Sequence, residues 1–243
     1  MAWPEGYGRR VLAEVDSTSA EGARIARSLS GPEWILGLKQ TAARGRRGRP
    51  WVNPAGNFAA SLVLRPTEAP EVVALRSFVA SLALYDALEA VVGDASGLAL
   101  KWPNDVLLHG GKLAGILLES AAGHLIIGVG VNLIAAPQAA QVEAGAVPPV
   151  SLLAETGKRV LPEALLDALA EAYAVREAAF VTYGFAPIRE AWLARAARVG
   201  EEIIARTGSN AYRGTFETVD EQGNLVLKTS EARRAISAAD VFF

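Results

Sequence analysis

The chain has 243 residues, 51% apolar and 21% charged, which suits one sizeable globular domain, alone or with a small appendage, and a core of ordinary size. With no cysteine and two histidines, His109 and His124, disulfides, thiolate-bound metals and cysteine nucleophiles are excluded, and a polyhistidine site or Ser-His-Asp triad is not expected. The net charge of −2 does not suggest a general nucleic-acid binder, no apolar run approaches the ~20 residues that span a bilayer, and Met1-Ala2-Trp3-Pro4-Glu5 does not read as a secretory signal, so a cytoplasmic chain is expected.

In chain order, Arg10 to Val15 alternates loosely and runs into Asp16-Ser17-Thr18-Ser19, a good N-cap cluster, after which Ala20 to Leu29 reads as a short helix. Trp34 to Gln40 and Phe58 to Leu64 are predicted strands. Between them lie an arginine-rich segment and a Pro/Gly/Asn stretch, Pro50 to Asn57. From Glu71 to Val92 apolar residues (Leu75, Phe78, Val79, Leu82, Tyr85, Leu88, Val91) recur at helical spacing, and one long helix is predicted. Leu98 to Trp102 is short and apolar and meets Pro103. Val106 to Leu108 and Leu113 to Leu118 flank His109-Gly110-Gly111-Lys112, where the glycine pair signals a tight hairpin. Leu125 to Leu133 is a further strand, and Gln138 to Pro149 reads as a loop. Pro162 and Pro187 each open a helix, the first with Leu165, Leu169, Tyr173 and Phe180 on one face, the second carrying Ile188 and Trp192. After Gly200, β-prone runs at Ile203 to Thr207, Ala211 to Val219 and Leu225 to Lys228 alternate with turn clusters, the pattern of a small β-barrel. The reading is α/β or α+β for a mixed-sheet main domain over 1–198, with an all-β domain over 199–243, and α+β is the class expected for the chain.

Four segments carry candidate chemistry. Between Glu33 and Glu68 there is no acid, yet Lys39, Arg44, Arg46, Arg47, Arg49 and Arg65 fall there. In Arg44-Gly45-Arg46-Arg47-Gly48-Arg49, guanidinium groups suit carboxylate or phosphate and the glycines suit a loop that closes on an anion. A solvated basic loop or a nucleic-acid patch explains the same run. There is no G-x-x-x-x-G-K-[ST] loop, and Gly128-Val129-Gly130 lacks the third glycine and following helix of a dinucleotide fingerprint. In Lys101-Trp102-Pro103-Asn104-Asp105 the proline interrupts a strand and charged and amide groups follow, although Pro-Asn-Asp is also good turn chemistry. Lys112 heads an apolar, glycine-bounded run to Glu119, a placement that suits a functional lysine or an edge-protecting one. Gly128-Val129-Gly130-Val131-Asn132 sets one amide at the end of a strand whose glycines permit close backbone approach.

In order and wording, Gln40 to Trp51, Asn57 to Pro66, Lys-Trp-Pro-Asn-Asp, Gly-Lys-Leu-Ala-Gly-Ile-Leu and Gly-Val-Gly-Val-Asn resemble the successive motifs of biotin protein ligases, closely over residues 10 to 135. The resemblance implies a mixed-sheet catalytic domain of the biotin/lipoate ligase type and a C-terminal SH3-like barrel. It implies biotin and ATP as substrates, Mg²⁺ with the ATP, and biotin carboxyl carrier protein, the acetyl-CoA carboxylase subunit, as partner; it allows a homodimer. Ser17, Thr18, Ser19 and Gln40 resemble the positions that hold the biotin rings, with Gly115 beside them. Arg44, Gly45 and Arg46 resemble the loop over biotin and its adenylate, and Lys112 the lysine between carboxylate and phosphate, so that Lys112 and Arg46 are the candidate catalytic pair. Arg47, Arg49, Trp51, Asn104, Asp105 and Asn132 fall on the nucleotide side. Ala43 and Ala239 stand where the family usually has glycine. Some members carry an N-terminal DNA-binding helix-turn-helix, for which the residues ahead of Asp16 leave no room, and no DNA contact or membrane association is expected.

The implied reaction suits a chain without cysteine. A carboxylate of pKa ~4.3 is ionised at neutral pH and needs charge compensation and alignment, not a base, to attack the α-phosphorus of ATP. In transfer, the carrier lysine must first lose a proton; Asp105 could assist, although the sequence itself names no base for this step. A lipoate or octanoate ligase of related fold, and a nucleic-acid-binding module resting on the arginine run, are the rival readings.

Overall fold

The computed structural model describes residues 2–45, 48–49, 51–138, 145–208 and 210–243. Its centre is a seven-stranded mixed sheet in the order β1-β2-β3-β7-β6-β5-β4. The strands are β1 (Gly8–Leu12), β2 (Glu33–Gly37), β3 (Phe58–Leu64), β4 (Leu98–Lys101), β5 (Asp105–Leu108), β6 (Gly111–Ala121) and β7 (His124–Val131). The pair β1/β2 is parallel, and the other pairs are antiparallel. β3 is buried at every residue because both faces of the sheet are covered.

The pleat sorts the side chains. Trp34, Leu36, Leu62 and Ile127 face the main core with α3 (Arg76–Val92) and α5 (Pro162–Tyr183), while Ile35, Val63 and Ile126 join Ala26 in a smaller cluster on the opposite face. Helix α1 (Thr18–Ile25) covers that smaller cluster, and a Cβ on its Gly22 would lie 2.9 Å from Val63. Beyond the cluster the same face is left to small side chains, and there the site lies.

Some expectations are corrected. The single helix predicted over Glu71 to Val92 is two, α2 (Pro70–Ala74) and α3, because at Leu75 the ladder tightens into three-residue bonds, Leu75 N–H to Val72 O at 3.1 Å and Phe78 N–H to Leu75 O at 3.0 Å. The hairpin between β5 and β6 turns on His109 and Gly110 (φ 49° and 81°), with Gly111 already paired to Leu108. A two-residue turn of this type needs positive φ at both central positions, and the register allots them to His109-Gly110, not to the glycine pair. Pro187 lies inside α6 (Phe185–Leu193) and does not open it, since Gly184 takes the cap position at φ 74°. The expected loop from Gln138 to Pro149 is described at its ends alone, with α4 (Leu152–Thr156) following.

The tail forms a five-stranded antiparallel sheet, β11-β10-β9-β8-β12, of β8 (Glu202–Arg206), β9 (Ala211–Val219), β10 (Leu225–Lys228), β11 (Arg233–Ile236) and β12 (Asp240–Phe242). The last two strands have no clear sequence signal, being only four and three residues long, with two arginines in the first. Ala239 is fully buried and not at positive φ, so the absence of glycine there costs the turn nothing. The tail is docked onto the larger unit: Trp102 Nε1–H donates to Gly223 O at 3.0 Å, and Gly223 sits against Leu75 and Phe78.

Candidate functional site

A cavity of about 590 Å³ opens on the face of the large sheet beside α1, within the usual size of a small-molecule site. One register row forms much of its floor. Ala59 of β3 pairs with Gly130 of β7, Gly130 with Gly115 of β6, Gly115 with Asp105 of β5, and Asp105 with Lys101 of β4. Three residues with little or no side chain are thus followed on the same face by a charged pair. The half-buried Trp51 lies over the small ones. A Cβ at Gly130 would meet its indole at 2.7 Å and one at Gly115 at 3.4 Å, so glycine at 130 is what permits this approach.

The end nearest α1 is polar. The N-cap of α1 is Ser17, yet its side chain makes no capping bond, contrary to the usual behaviour of such a cluster. Instead Gln40 Oε1 accepts from the Thr18 backbone N–H at 2.8 Å and from the Thr18 hydroxyl at 3.3 Å. Ser61 Oγ donates to Thr18 Oγ1 at 2.8 Å and lies 3.1 Å from Ser19 Oγ. Capping from another segment leaves Ser17, Thr18 and Ser19 to line the cavity. Their approach is fixed by Asp16, which accepts the Ser17 N–H at 2.8 Å and two bonds from Arg24, 2.7 and 2.9 Å; the hydrogen bonds from Arg24 hold its carboxyl below the ordinary range.

The opposite wall is charged. Lys112 Nζ lies 2.7 Å from Asp105 Oδ1, and Lys101 Nζ lies 3.5 Å from Asp105 Oδ2. A β-bulge aims Lys112 this way. The register runs Asp105 with Gly115, Val106 with Ala114, then Leu107 with Lys112, so Leu113 is the extra residue and Lys112 and Gly115 share a face despite their three-residue spacing. Lys101 is buried, and desolvation pushes its pKa below the ordinary lysine value, against the opposing pull of Asp105.

Asn104 donates through Nδ2 to Ile116 O, and its own carbonyl accepts Ile116 N–H at 2.9 Å. Asn132 is 2% exposed; its Nδ2 donates to Val150 O at 3.1 Å, while its Oδ1 is buried without a hydrogen-bond partner. A buried acceptor left open on a cavity wall calls for a donor from the occupant. Over the mouth, Gly45 N–H donates to Arg49 O at 2.7 Å and Trp51 N–H to Ala43 O at 3.0 Å, which closes the loop base on itself.

Of the residues singled out from sequence, Ser17, Thr18, Ser19, Gln40, Arg44, Gly45, Arg49, Trp51, Asn104, Asp105, Lys112, Gly115 and Asn132 all line this one cavity. Arg46 and Arg47 lie outside the described residues. The sequence reading missed Lys101, although it sits in a segment already marked, and it missed Asp240, Val241 and Phe242 of the tail, which also line the cavity and for which no local signal exists.

Residues 11–132 match the Biotin/lipoate A/B protein ligase family, and residues 199–243 match the Biotin protein ligase C terminal domain. The chain is 57% identical over 238 residues to a biotin–[acetyl-CoA-carboxylase] ligase of Paracoccus denitrificans, covering 96% of this chain and 99% of that protein. It is 30% identical over 239 residues to the bifunctional ligase/repressor BirA of Bacillus subtilis, covering 95% of this chain and 73% of that one. The biotin protein ligase from Aquifex aeolicus, solved in complex with biotin and ATP, superposes with a TM-score of 0.82 at 26% identity, over 96% of this chain and 98% of that one. The fold, the two matched segments and the full-length relative agree, and the chain belongs to the biotin protein ligase family.

Proposed function

We propose that this protein condenses biotin with ATP to biotinyl-5′-AMP and passes the biotinyl group to one lysine of a biotin carboxyl carrier protein. The observation that carries the reading is the cavity's division into a Ser/Thr/Gln end, a Lys112–Asp105–Lys101 wall and a glycine floor under Trp51. Ser17, Thr18, Ser19 and Gln40 would hold the ureido and ring atoms of biotin at the polar end. Lys112, with Arg44, Gly45 and Arg46 of the loop, would meet the carboxylate and the α-phosphate between the two ends. Arg47, Arg49, Trp51, Asn104, Asp105 and Asn132 fall to the nucleotide, with the open Oδ1 of Asn132 suited to the amino group of adenine.

In the first step the biotin carboxylate forms a bond to the α-phosphorus, the bond to the β-phosphate oxygen breaks, and pyrophosphate leaves. The protein's contribution is alignment and cation placement where negative charge gathers. Magnesium enters as the ATP complex. It would offset negative charge on the triphosphate, and the cavity carboxylates that could meet it are Asp105 and Asp240. In the second step the carrier amine, after losing a proton, attacks the biotinyl carbonyl and AMP leaves; Asp105, on the charged wall, is the candidate acceptor of that proton. Residues 1–198 and 199–243 are assigned as catalytic and C-terminal units, the latter contributing Asp240, Val241 and Phe242 to the cavity.

The test is exchange of labelled pyrophosphate into ATP. Exchange that requires biotin, followed by biotin transfer to an isolated carrier domain, supports the reading. Exchange driven by lipoate or octanoate but not biotin would assign the chain to the other branch of the same chemistry.

A further inference from the structure

The charged wall poses a difficulty for the reaction above. Lys112 is held by Asp105 at 2.7 Å, yet adenylate formation needs its ammonium beside the substrates' anions. Asp105 is 8% exposed, and a carboxylate so enclosed is costly when a compensating cation leaves it. Asp105 therefore opposes the turn of Lys112 towards substrate, and the more its charge is met by its other partners, the less that turn costs.

Lys101 stands where that compensation can come from. It is the register partner of Asp105 across β4 and β5, it is itself 8% exposed, and it lines the same cavity. Its Nζ addresses the second carboxylate oxygen, Oδ2, at 3.5 Å, while Lys112 holds Oδ1. A charge-assisted bond closes to ~2.7–2.9 Å, so the Lys101 contact has room to tighten where the Lys112 contact has none. The ammonium also lies 5.8 Å from the Phe243 ring, and of its two acidic neighbours, Asp105 and Asp240, Asp105 acts on it more strongly.

Resting on the proposed ligase reading, we infer that Lys101 is a positioning residue for adenylate formation: it takes over the charge of Asp105 as Lys112 turns from that carboxylate to the carboxylate and phosphate of the substrates. The two lysines and one carboxylate thus work as an exchange of partners. Lys101 touches no reacting atom; it acts through Asp105 and Lys112.

The test uses the full-length chain and biotin-dependent pyrophosphate exchange, which reports the first step without the carrier. Lys101→Met is expected to lower the exchange kcat about tenfold, with the biotin KM changed less than about threefold, and Lys101→Arg to recover most of the loss. On an Asp105→Asn background, Lys101→Met is expected to cost less than about threefold, because the carboxylate through which Lys101 acts is gone and Asp240 attracts it more weakly. The inference is overturned if Lys101→Met runs within about twofold of the native rate, or if it costs as much on the Asp105→Asn background as on the native one. Should Lys101→Met fail to fold, Lys101→Gln, which removes the charge but keeps a polar side chain, is measured on both backgrounds and decides by the same criterion. A native chain without biotin-dependent exchange would refute the proposed function itself, whereas native exchange without this coupling refutes the inference alone.

Discussion

Gly130→Ala is a small change with a consequence that can be worked from the coordinates. Gly130 sits in β7, flanked by Ala59 of β3 and Gly115 of β6, and its φ is not positive, so alanine meets no backbone strain. The added methyl would stand 2.7 Å from both Cε2 and Nε1 of Trp51 and 2.9 Å from Cζ2. Ordinary carbon contacts lie at ~3.5–4.0 Å, so one partner must retreat by about 1 Å. The strand is held by ladders on both sides, and the half-buried indole is therefore the part that moves. A displacement of ~1 Å in a group that positions a reactant can cost ~10² in rate. We expect kcat/KM for ATP in biotin-dependent exchange to fall about 10- to 100-fold. Biotin affinity by calorimetry should stay near native, and the melting temperature should be unchanged or slightly raised, because Gly→Ala at a compatible φ stabilises by ~0.4–1 kcal/mol through the unfolded chain. Gly115→Ala, whose methyl would meet the indole at 3.4 Å, serves as the graded control and should cost less. Native ATP kinetics in Gly130→Ala would show that the indole has no part in nucleotide binding. A lowered melting temperature with parallel loss of biotin affinity would place the damage in the strand.

Three further outcomes are expected. Lys112→Ala should lower biotinyl-adenylate formation by ~10²–10³ in single-turnover assays while the chain stays folded; full adenylation would return Lys112 to the role of an edge lysine. Arg76→Met should destabilise by ~3–5 kcal/mol in urea melts, because it strips the cation that lies 2.7 Å from each of Glu68 and Glu177 in a nearly closed site. The Glu68 carboxyl is held below its ordinary range chiefly by the Arg76 hydrogen bond, so this stabilisation is whole above the unfolded carboxylate pKa and is lost as pH falls through the lower folded value. The acid-side decline in melting temperature should shrink in the variant. Purine riboside triphosphate, which lacks the adenine amino group, should show a KM roughly 5- to 100-fold above that of ATP, and equal values would show that Asn132 Oδ1 is not its acceptor.

What the amino-acid order determined alone was local and chemical. Strand and helix positions followed from period and punctuation: β3 was read to the residue, and His109-Gly110-Gly111 marked the hairpin although not which two residues turn. The types and order of the motif residues pointed to the cavity because each segment carries its own chemistry, whatever its neighbours in space. Tertiary structure decided what depends on register and on distant chain. Lys112 and Gly115 share a face because one extra residue, Leu113, bulges β6, and a period-two reading would set them on opposite faces. Lys101 joins the wall because β4 pairs it with Asp105, whereas proximity in sequence made it look like the lead-in to a turn. Gln40, not Ser17, caps the first turn of α1, since the bridge between Val15 and Gln40 brings the amide to the Thr18 N–H. The contribution of Asp240, Val241 and Phe242 had no sequence signal at all: these residues lie far along the chain from the rest of the cavity, and docking of one sheet on another is set by shape and burial over the whole interface, which no local pattern encodes.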